Sequence, residues 1–240
     1  MKIKILGTRG EIEPSTPYHK RHSGILIDNK IMIDIGEKEF LKYKPKAIFI
    51  THLHPDHAFF VRLKKIQNIE LLKKLNIYAP EKEDFDFINI ISKTKTIENY
   101  KITPIKTEHS LKVKSQGYLI EKNNQKIFYT GDLFWIKKEN QKKLKKVSLV
   151  ITEASFLQKN GLIKRHKGSP PFGHTGIPNL INFFKPFTNN ILFMHFGSWF
   201  YNYGAKKARK KLKDMGSQNN INIVVGYDGQ EVNLKKNIKK

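Results

Sequence analysis

The chain has 240 residues and 39% of them are hydrophobic, so it is long enough and apolar enough to bury a core without cross-links. Cysteine is absent, which excludes disulfides and thiolate metal sites and leaves histidine and carboxylate side chains as candidate metal ligands. No apolar run approaches the roughly 18 residues of a membrane span, so no membrane contact is predicted. The charged N-terminus is typical of a first strand and not of a signal peptide, and we expect a cytoplasmic location.

The net charge of +24 arises from 45 Lys and Arg residues against 21 acidic residues. A positive field of this size attracts phosphate polymers and small anionic substrates. A general bias toward lysine, asparagine and isoleucine would produce the same charge without any such partner. The charge therefore favours a nucleic-acid or phosphate-ester ligand, but it carries no information about chemistry.

Strand-like and helical patterns alternate along the whole chain. Strands are predicted, in chain order, over Lys2–Leu6, Gly24–Ile27, Lys30–Ile33, Ala47–Thr51, Asn76–Ala79, Ile102–Lys106, Gly117–Glu121, Lys126–Thr130, Ser148–Glu153, Asn190–Met194, Ile221–Val225 and Glu231–Leu234. Helices are predicted over Val61–Leu75, Glu139–Lys146, Gly176–Phe184 and Gly204–Met215, the last with Gly216 as its stop signal. The stretch Gly161–Gly173 is expected to be an irregular loop. This order of elements predicts a mixed α/β sandwich that forms a single domain over residues 1–240.

A cluster of polar residues follows the predicted strand that begins at Ala47. The four apolar residues Ala47–Ile50 predict a strand buried on both faces. His52 and His54 are two residues apart in extended chain, so their side chains project to the same side. A proline then forces a turn, which directs Asp56 and His57 toward a second point nearby. Four candidate ligands within six residues would be costly to desolvate without a cation, so a metal site is predicted here.

This HxHxDH arrangement resembles the signature of the metallo-β-lactamase superfamily, and the resemblance extends over nearly the whole chain. It implies an αββα sandwich, in which two mixed β-sheets pack face to face with helices outside. It also implies four further site residues: Asp34 in IDIGE, which supports the metal loop, His109 in TEHS, Asp132 in YTGD and His195 in FMHF. One metal ion would then be held by His52, His54, His109 and Asp132, and the other by Asp56, His57, Asp132 and His195.

The three later ligand candidates are weak evidence when each is considered alone. A single histidine near a strand end, such as His109 or His195, is more often a surface residue or a hydrogen-bonded core residue. Asp132 follows a glycine and could be a simple turn residue. Only the combination with the HxHxDH cluster makes them ligands. Nitrogen and oxygen ligands without sulfur favour two zinc ions, with manganese and iron as alternatives.

Three further stretches resemble the ribonuclease Z branch of the superfamily: the opening LGTRG, Glu153 in EASF and His174 in GHTG. The resemblance implies that Glu153 orients His174 and keeps it protonated, so that His174 acts as a general acid or stabilises phosphate charge. It also implies hydrolysis by a hydroxide that bridges the two metal ions, with Asp56 as general base as well as ligand.

The chain differs from many ribonuclease Z enzymes between His109 and Asp132. Only 23 positions separate the two residues, and two predicted strands joined by the turn Lys122–Gln125 fill them. This leaves no room for the flexible arm with which many ribonuclease Z enzymes grip tRNA. The chain therefore looks like the short, arm-less members, some of which cleave small or cyclic phosphodiesters.

Basic and aromatic residues near the predicted site give weaker signals for substrate contact. Lys164, Arg165 and Lys167 could close over a phosphate chain or could belong to a solvated loop. Trp199 follows the last candidate ligand closely and could stack a base or pack in the core. Arg9, in a glycine turn, is a further candidate for phosphate contact.

The sequence thus predicts a dinuclear metal-dependent phosphodiester hydrolase that acts on RNA or on another nucleotide phosphodiester, with a homodimer left open. Two other interpretations stay open. The same metal site can support hydrolysis of a small ester, thioester or lactone. The third interpretation is a non-catalytic nucleic-acid-binding protein on the same scaffold, against which the complete set of candidate ligands argues.

Overall fold

The computed structural model describes residues 1–62 and 69–234. Its strands, in chain order, are β1 (Lys2–Gly7), β2 (Gly24–Ile27), β3 (Ile31–Ile33), β4 (Ala47–Phe49), β5 (Ile77–Ala79), β6 (Ile88–Ile90), β7 (Lys95–Ile97), β8 (Tyr100–Lys106), β9 (Gln116–Lys122), β10 (Gln125–Tyr129), β11 (Leu149–Ala154), β12 (Leu162–Lys164), β13 (Phe172–His174), β14 (Asn190–Phe196), β15 (Asn222–Val225) and β16 (Glu231–Asn233). Its α-helices are α1 (Ile69–Lys73), α2 (Lys138–Gln141), α3 (Ile177–Phe184), α4 (Ser198–Tyr203) and α5 (Ala205–Gln218), and 3₁₀ turns lie at Lys38–Tyr43, Phe59–Arg62 and Lys142–Leu144.

Within the described residues, these strands form two seven-stranded mixed sheets and one separate hairpin. The first sheet has the order β16-β1-β2-β3-β4-β5-β6, and the second has the order β15-β14-β11-β10-β9-β8-β7. In each sheet antiparallel pairing on one side gives way to parallel pairing on the other, from β3 to β6 in the first sheet and from β10 to β15 in the second. Because parallel strands have their carboxyl ends at one edge, the loops that follow them meet there.

The two sheets pack face to face around an isoleucine-rich core. Ile3 and Ile25 of the first sheet and Ile120, Ile127 and Ile151 of the second belong to one buried cluster and have no exposed surface. Side chains alternate between the two faces of a strand, so the outer face of each sheet must be covered by other elements. Helices α3, α4 and α5 pack on the outer face of the second sheet, and α1 with two of the 3₁₀ turns packs on that of the first. The αββα sandwich predicted from the resemblance is confirmed.

Strand β4, in front of the histidine cluster, is buried as predicted. Its residues and the following Ile50 have at most 1% of their surface exposed. The strand pairs in parallel with β3 on one side and β5 on the other, so it lies inside the first sheet. Neither face of this inner strand is exposed to solvent, which explains the uninterrupted apolar run of the sequence.

The predicted end of the last helix is wrong. Helix α5 does not stop at Gly216 but continues to Gln218. Gly216 is buried, and a Cβ atom there would lie 2.6 Å from the carbonyl oxygen of Ile221 and 2.8 Å from the side chain of Ile223. The glycine therefore allows the helix to pack closely on β15, and it is not a termination signal.

Two other helix predictions differ from the structure in extent. The prediction over 61–75 falls partly outside the described residues, at 63–68, and the part that the structure describes contains the 3₁₀ turn Phe59–Arg62 and the short α1. The helix predicted over 139–146 is confined to α2 and the 3₁₀ turn after it. In contrast, α3 begins and ends within one residue of its predicted bounds.

The expected irregular loop over 161–173 contains a hairpin instead. Strands β12 and β13 pair antiparallel, with Leu162 opposite His174 and Lys164 opposite Phe172. Both strands have three residues, which is too short for a clear alternating pattern. The short strands β6 and β7 and the six-residue helix α4 were also not predicted.

Strands β9 and β10 are joined by a tight turn, as predicted. Asn123 and Asn124 lie between them, with φ of 48° and 60°, which is typical of a two-residue hairpin turn. Lys122 is paired with Gln125 across this turn. No arm extends from the chain at this point.

Candidate metal centre

The predicted ligands converge at one end of the sandwich. They lie just after, or near the end of, strands of both sheets: His52, His54, Asp56 and His57 after β4, His109 after β8, Asp132 after β10 and His195 near the end of β14. Their ligand atoms form two groups, each with all atoms within 4.8 Å of one another: His52, His54, His109 and Asp132, and Asp56, His57 and His195. Both groups could hold a metal ion.

The first group combines three imidazoles with one carboxylate. Nε2 of His52 lies 3.0 Å from Nδ1 of His54 and 3.7 Å from Oδ2 of Asp132. Nε2 of His109 lies 3.4 Å from the same nitrogen of His54 and 3.6 Å from the same oxygen of Asp132. Nitrogen lone pairs at such distances repel one another unless a proton or a cation lies between them.

The second group has two imidazoles and one carboxylate. Oδ2 of Asp56 lies 3.6 Å from Nε2 of His57 and 3.7 Å from Nε2 of His195. Both of these nitrogens lie 3.2 Å from Oδ1 of Asp132. Asp132 thus directs Oδ2 toward the first group and Oδ1 toward the second, which is the arrangement a bridging carboxylate requires.

The donor set of this centre fits metal binding. Nε2 of His57 and Oδ1 of Asp132 are buried and, among the described residues, neither has a hydrogen-bond partner, although 3.2 Å separates them. A buried polar atom without a partner costs about 1–3 kcal/mol. A divalent cation between these atoms would remove that cost, and nitrogen and oxygen donors suit zinc, manganese and iron.

Hydrogen bonds at the remote ring nitrogens fix the orientation of the histidines. Nδ1 of His57 donates to Oδ2 of Asp34 at 2.7 Å, which is the contact that the predicted support of the metal loop by Asp34 requires. Nδ1 of His109 lies 3.0 Å from the carbonyl oxygen of Gly173, which can only accept. Both rings therefore carry a proton on Nδ1 and direct Nε2 to the site.

Two hydroxyl groups that the sequence did not identify have the same role. Oγ of Ser23 lies 2.7 Å from Nδ1 of His195, and Oγ1 of Thr51 lies 3.1 Å from Nδ1 of His52. Thr51 also donates to the carboxylate of Asp34, so its hydroxyl is free to accept from His52. Supporting hydrogen bonds of this kind set which nitrogen is left for a metal.

The backbone is held in uncommon conformations around the centre. Asp34 and His195 have φ of 58° and 52°, a backbone region that residues other than glycine rarely adopt. In β14 the pairing skips His195, because Met194 pairs with Glu153 and Phe196 pairs with Ala154. The resulting bulge turns His195 out of the ladder and toward the other ligands.

Gly131 allows Asp132 to reach its position. Its φ is 62°, and a Cβ atom there would lie 2.7 Å from the side chain of Thr51. A larger residue would therefore displace either the carboxylate of Asp132 or the hydroxyl that supports His52.

Burial and neighbouring charges determine the protonation of the cluster. Burial lowers the pKa of His52, His54 and His109, in the last case to about 4, so these rings are neutral. Burial also opposes the charged form of His57, but the carboxylates, first of all Asp132, outweigh it and raise its pKa well above the usual value. The excess of carboxylate charge around His57 is another reason why a cation fits there.

Glu153 and His174 form a pair beside Asp132. Nδ1 of His174 lies 2.7 Å from Oε2 of Glu153 and 4.0 Å from Oδ2 of Asp132. Burial would lower the pKa of His174, but Glu153 and then Asp132 outweigh it and raise the pKa to about 9. The ring is therefore protonated at neutral pH, and Nε2 is left to face a ligand.

A cavity of about 210 Å³ opens onto this centre. Its walls contain Gly10, Glu11, Ile12, His54, Asp56, His109, Asp132, Ser155, Phe156, His174, His195, Gly197 and Ser198. His174 thus lines the same cavity as Asp132. The acidic Glu11 and the aromatic Phe156 line the cavity but were not predicted as site residues, although Phe156 ends the EASF stretch.

The weaker candidates for substrate contact do not line this cavity. The guanidinium of Arg9 donates to the carbonyl oxygen of Ile12 at 2.6 Å, so it holds the loop of the cavity wall. Nε1 of Trp199 donates to the carbonyl oxygen of Ala154 at 2.7 Å, and its ring packs on the outer core, the alternative considered from the sequence. Three basic residues, Lys164, Arg165 and Lys167, are exposed on the hairpin that carries His174.

Comparison with known proteins identifies the family. The sequence matches the model of the beta-lactamase superfamily domain over residues 40–194. This match covers more than half of the chain and includes all seven predicted ligands except His195, which follows directly. The chain belongs to the metallo-β-lactamase superfamily, as the HxHxDH signature predicted.

Solved structures of similar fold span nearly the full chain. The metallo-beta-lactamase fold protein YhfI from Bacillus subtilis is 18% identical, with a TM-score of 0.67 over 96% of this chain and 98% of that one. The short form of human tRNase Z is 17% identical, with a TM-score of 0.64 and coverage of 98% and 99%. A diphosphatase of the PhnP family is 14% identical, with a TM-score of 0.66 and 99% of both chains covered. At these identities the likeness establishes the fold.

A search among curated proteins found no match. Among the described residues, no helix has both the length and the apolar character needed to cross a bilayer. Family, fold and clustered ligand atoms together define a metal-dependent hydrolase.

Proposed function

We propose that the protein is a dinuclear metal-dependent phosphodiester hydrolase that acts on RNA or a nucleotide phosphodiester. The observation that carries the proposal is the orientation of Asp132, whose two oxygens face two separate ligand groups while the Glu153–His174 pair adjoins the same carboxylate. A centre for two metal ions beside a protonated histidine combines charge neutralisation with a proton donor.

Each metal ion has a complete set of ligands in this proposal. His52, His54, His109 and Asp132 would hold one ion, and Asp56, His57, His195 and Asp132 would hold the other. Zinc is the proposed metal, since all donors are nitrogen or oxygen and the first set has three imidazoles. Bound there, the ions would acidify a water molecule and neutralise negative charge on phosphate oxygens.

The side chains at the cavity supply the proton transfers. Asp56 lies on the cavity wall and between the two histidines of the second group, so it is the nearest general base for an attacking water. His174 borders the same cavity, and Glu153 holds its Nδ1, which leaves Nε2 to protonate the leaving oxygen. These roles give a base and an acid at one cavity.

Two further observations favour cleavage at phosphorus over cleavage of a neutral ester. The net charge of +24 favours anionic substrates. Two of the structurally similar proteins are named as a tRNase and a diphosphatase. Hydrolysis of a small ester, thioester or lactone by the same centre is the alternative that the experiment below separates.

A parallel assay of the full-length protein tests the proposal. The substrates are bis-p-nitrophenyl phosphate, a cyclic nucleotide, a precursor tRNA and a thioester, each with and without a chelator. We expect chelator-sensitive cleavage of at least one phosphodiester, together with about two metal ions per chain by elemental analysis. Cleavage of the thioester alone would replace the proposal by its alternative.

A matched pair of variants tests the site. Asp56→Asn removes a proposed ligand and base, and turnover should fall by at least about 10³-fold because both roles are lost together. Glu108→Gln is the control, since Glu108 adjoins ligand His109 in sequence but pairs with Lys137 and lies outside the cavity wall. Retained activity in Asp56→Asn would remove this residue from the mechanism.

A further inference from the structure

One part of the chain has a large net positive charge because it lacks acidic residues. Between Glu153 and Asp214 the sequence contains no Asp or Glu at all, whereas eleven Lys and Arg residues occur there. At the average acid content of the chain, about five acidic residues would be expected in a stretch of this length. The stretch includes β12, β13, α3, β14, α4 and most of α5, which carry two of the proposed site residues, His174 and His195.

The hairpin β12–β13 carries part of this charge away from the cavity. His174 lies at its base on the cavity wall, opposite Leu162. Lys164 is two residues further out, which corresponds to about 7 Å along a strand, and Arg165 and Lys167 follow in the exposed tip. Gly173 donates a backbone hydrogen bond to the carbonyl oxygen of His109 and accepts one from Nδ1 of its ring. These two hydrogen bonds fix the hairpin to the loop that carries His109.

Helix α5 carries six of the eleven cations, and α4 connects it to the cavity wall. Gly197 and Ser198 line the cavity, and α4 starts at Ser198. Helix α5 follows after Gly204 and extends for about 21 Å, given its 14 residues. It buries Ala208, Leu212 and Gly216 against the sheet.

The outer face of α5 is a row of cations. It contains Lys206, Lys207, Lys210, Lys211 and Lys213, of which all but the partly buried Lys211 are exposed. Residues three and four apart lie side by side on a helix, so Lys206, Lys210 and Lys213 form one line. The one acid of the helix, Asp214, is paired with Lys210. The aromatic Tyr203 is 47% exposed at the start of this line, with Nζ of Lys211 5.9 Å from its ring centre.

We infer that the hairpin tip (Lys164, Arg165 and Lys167) and the outer face of α5 (Lys206, Lys210 and Lys213) form a binding track for single-stranded RNA, which passes across the cavity between them. The inference rests on the proposed phosphodiesterase function and names the substrate class of that site. In this inference the hairpin tip and α5, one on either side of the cavity, bind the substrate. Their charged surfaces take the place of the arm that longer enzymes use. Lysines next to exposed aromatic rings are the usual means of holding an unpaired strand without reading its sequence.

Nucleic acid fits this surface better than a lipid bilayer does. Membrane-bound helices place large apolar residues next to their lysines, whereas the apolar residues of α5 are buried against the sheet. The hairpin tip likewise exposes lysine, arginine, histidine, serine and proline between Lys164 and Pro171. Binding through charge with little apolar contact is typical of phosphate backbones.

Charge reversal on the track provides the test. One variant carries Lys164→Glu, Arg165→Glu and Lys167→Glu, and a second carries Lys206→Glu, Lys210→Glu and Lys213→Glu. The control variant reverses Lys138 of α2, Lys142 of the following 3₁₀ turn and Lys145 directly after that turn, which are also exposed and line no part of the cavity. All three variants have the same net charge.

The probe is a fluorescent 20-nucleotide polyuridine with a phosphorothioate backbone, titrated with the full-length, metal-loaded protein at several salt concentrations. We expect each track variant to lose at least tenfold in affinity and the control to lose less than threefold. The log–log salt dependence should become less steep by about 2 in the track variants, since about 0.7 is lost per neutralised phosphate. Glutamine at the same positions, with an expected loss of at least threefold, serves as a second series, and melting temperatures check that each variant is folded.

The outcomes separate this inference from the proposed function. Binding needs no turnover, and cleavage of bis-p-nitrophenyl phosphate by the wild-type protein tests the metal centre independently of the track. Equal losses in track and control variants would show a non-specific effect of net charge and overturn the inference. Unchanged RNA affinity in both track variants, or tighter binding of phosphatidylserine vesicles than of RNA, would also overturn it.

Discussion

Glu153 and His174 are joined by a 2.7 Å contact between Oε2 and Nδ1, and the other oxygen of Glu153 accepts a hydrogen bond from the backbone N–H of Leu133 at 2.5 Å. Leu133 follows Asp132 directly in the sequence. The hydrogen bond therefore fixes the Glu153–His174 pair relative to the carboxylate of Asp132, whose two oxygens face the two groups of candidate ligands. Glu153 comes from the end of β11 and His174 from the end of the hairpin. Neither residue can move without the other, which suits a proton donor of fixed position.

The proposed role of His174 as proton donor predicts a dependence on the leaving group. His174→Ala should lower kcat about 10²–10³-fold on a substrate whose leaving group is an alkoxide, because that oxygen needs a proton as the bond breaks. The loss should be less than about tenfold on a p-nitrophenyl ester, which leaves as a stable anion. Glu153→Gln should follow the same pattern with smaller losses.

The measurement is kcat for both substrate types alongside metal content by elemental analysis. The metal content of both variants should equal that of the wild type, since neither residue belongs to the two ligand sets. Loss of metal in His174→Ala would instead identify the residue as a support of the centre. Equal losses on both substrate types would exclude proton donation.

The contact between Asp34 and His57 predicts a metal-affinity effect at a distance from the metal. Asp34→Asn should lower metal affinity about 10–100-fold, because an amide holds the ring of His57 less firmly and in a less basic state. Asparagine tolerates the positive φ of Asp34, so the backbone is expected to keep its conformation.

Competition with a coloured chelator measures the affinity, and Asp28→Asn is the matched control. Asp28 also has a positive φ and is also hydrogen-bonded, to Tyr100 and Lys122, but it contacts no candidate ligand. The control should bind metal like the wild type. If Asp34→Asn did the same, the carboxylate would have a structural role only.

The part of the site that the sequence revealed is the part encoded by adjacent residues. The HxHxDH cluster combines a buried strand and a turn within eleven residues, so its geometry follows from local rules. The later candidate ligands were found only through the resemblance. Ser23 was missed because its partner His195 is 172 residues away and a lone serine has no distinctive pattern.

The secondary structure was predicted correctly where the signal is local and incorrectly where tertiary packing decides. Strands with long apolar or alternating patterns, such as β1 and β14, were located within a few residues of their bounds. Gly216 was misread because a glycine near the end of a helical pattern predicts a stop, whereas here the approach of β15 requires it. Close tertiary packing of this kind leaves no trace in local sequence.

Substitution of Gly216 tests its packing role. If Gly216 were an ordinary position inside the helix, Gly216→Ala would raise the free energy of unfolding by up to about 1 kcal/mol through helix propensity. Because the added Cβ would meet the Ile221 carbonyl and the Ile223 side chain, we expect a loss of about 1–3 kcal/mol. Urea denaturation measures the change, and Ser217→Ala, on the exposed face of the same turn, should stay within about 0.5 kcal/mol of the wild type. A stabilised Gly216→Ala would contradict the packing role.

His19 predicts how stability depends on pH outside the metal centre. The ring is 1% exposed, with Nδ1 2.9 Å from Oγ1 of Thr8 and Nε2 2.9 Å from a guanidinium nitrogen of Arg209. Burial and, next, the charge of Arg209 lower the pKa of His19 to about 4, from an ordinary value of 6.5. The folded protein therefore keeps this ring neutral where the unfolded chain would protonate it.

The sign of the effect follows from this difference. The contribution of His19 to stability is fully present above pH 6.5 and is lost as the pH falls toward 4, because protons bind the unfolded chain first. Between pH 7.5 and pH 5 the loss should be on the order of 2 kcal/mol. His19→Gln should remove this part of the pH dependence, while His166→Gln, which changes an exposed histidine, should keep it. Urea denaturation at both pH values gives the comparison, and an equal loss of stability in His19→Gln and the wild type would show that His19 is not the group responsible.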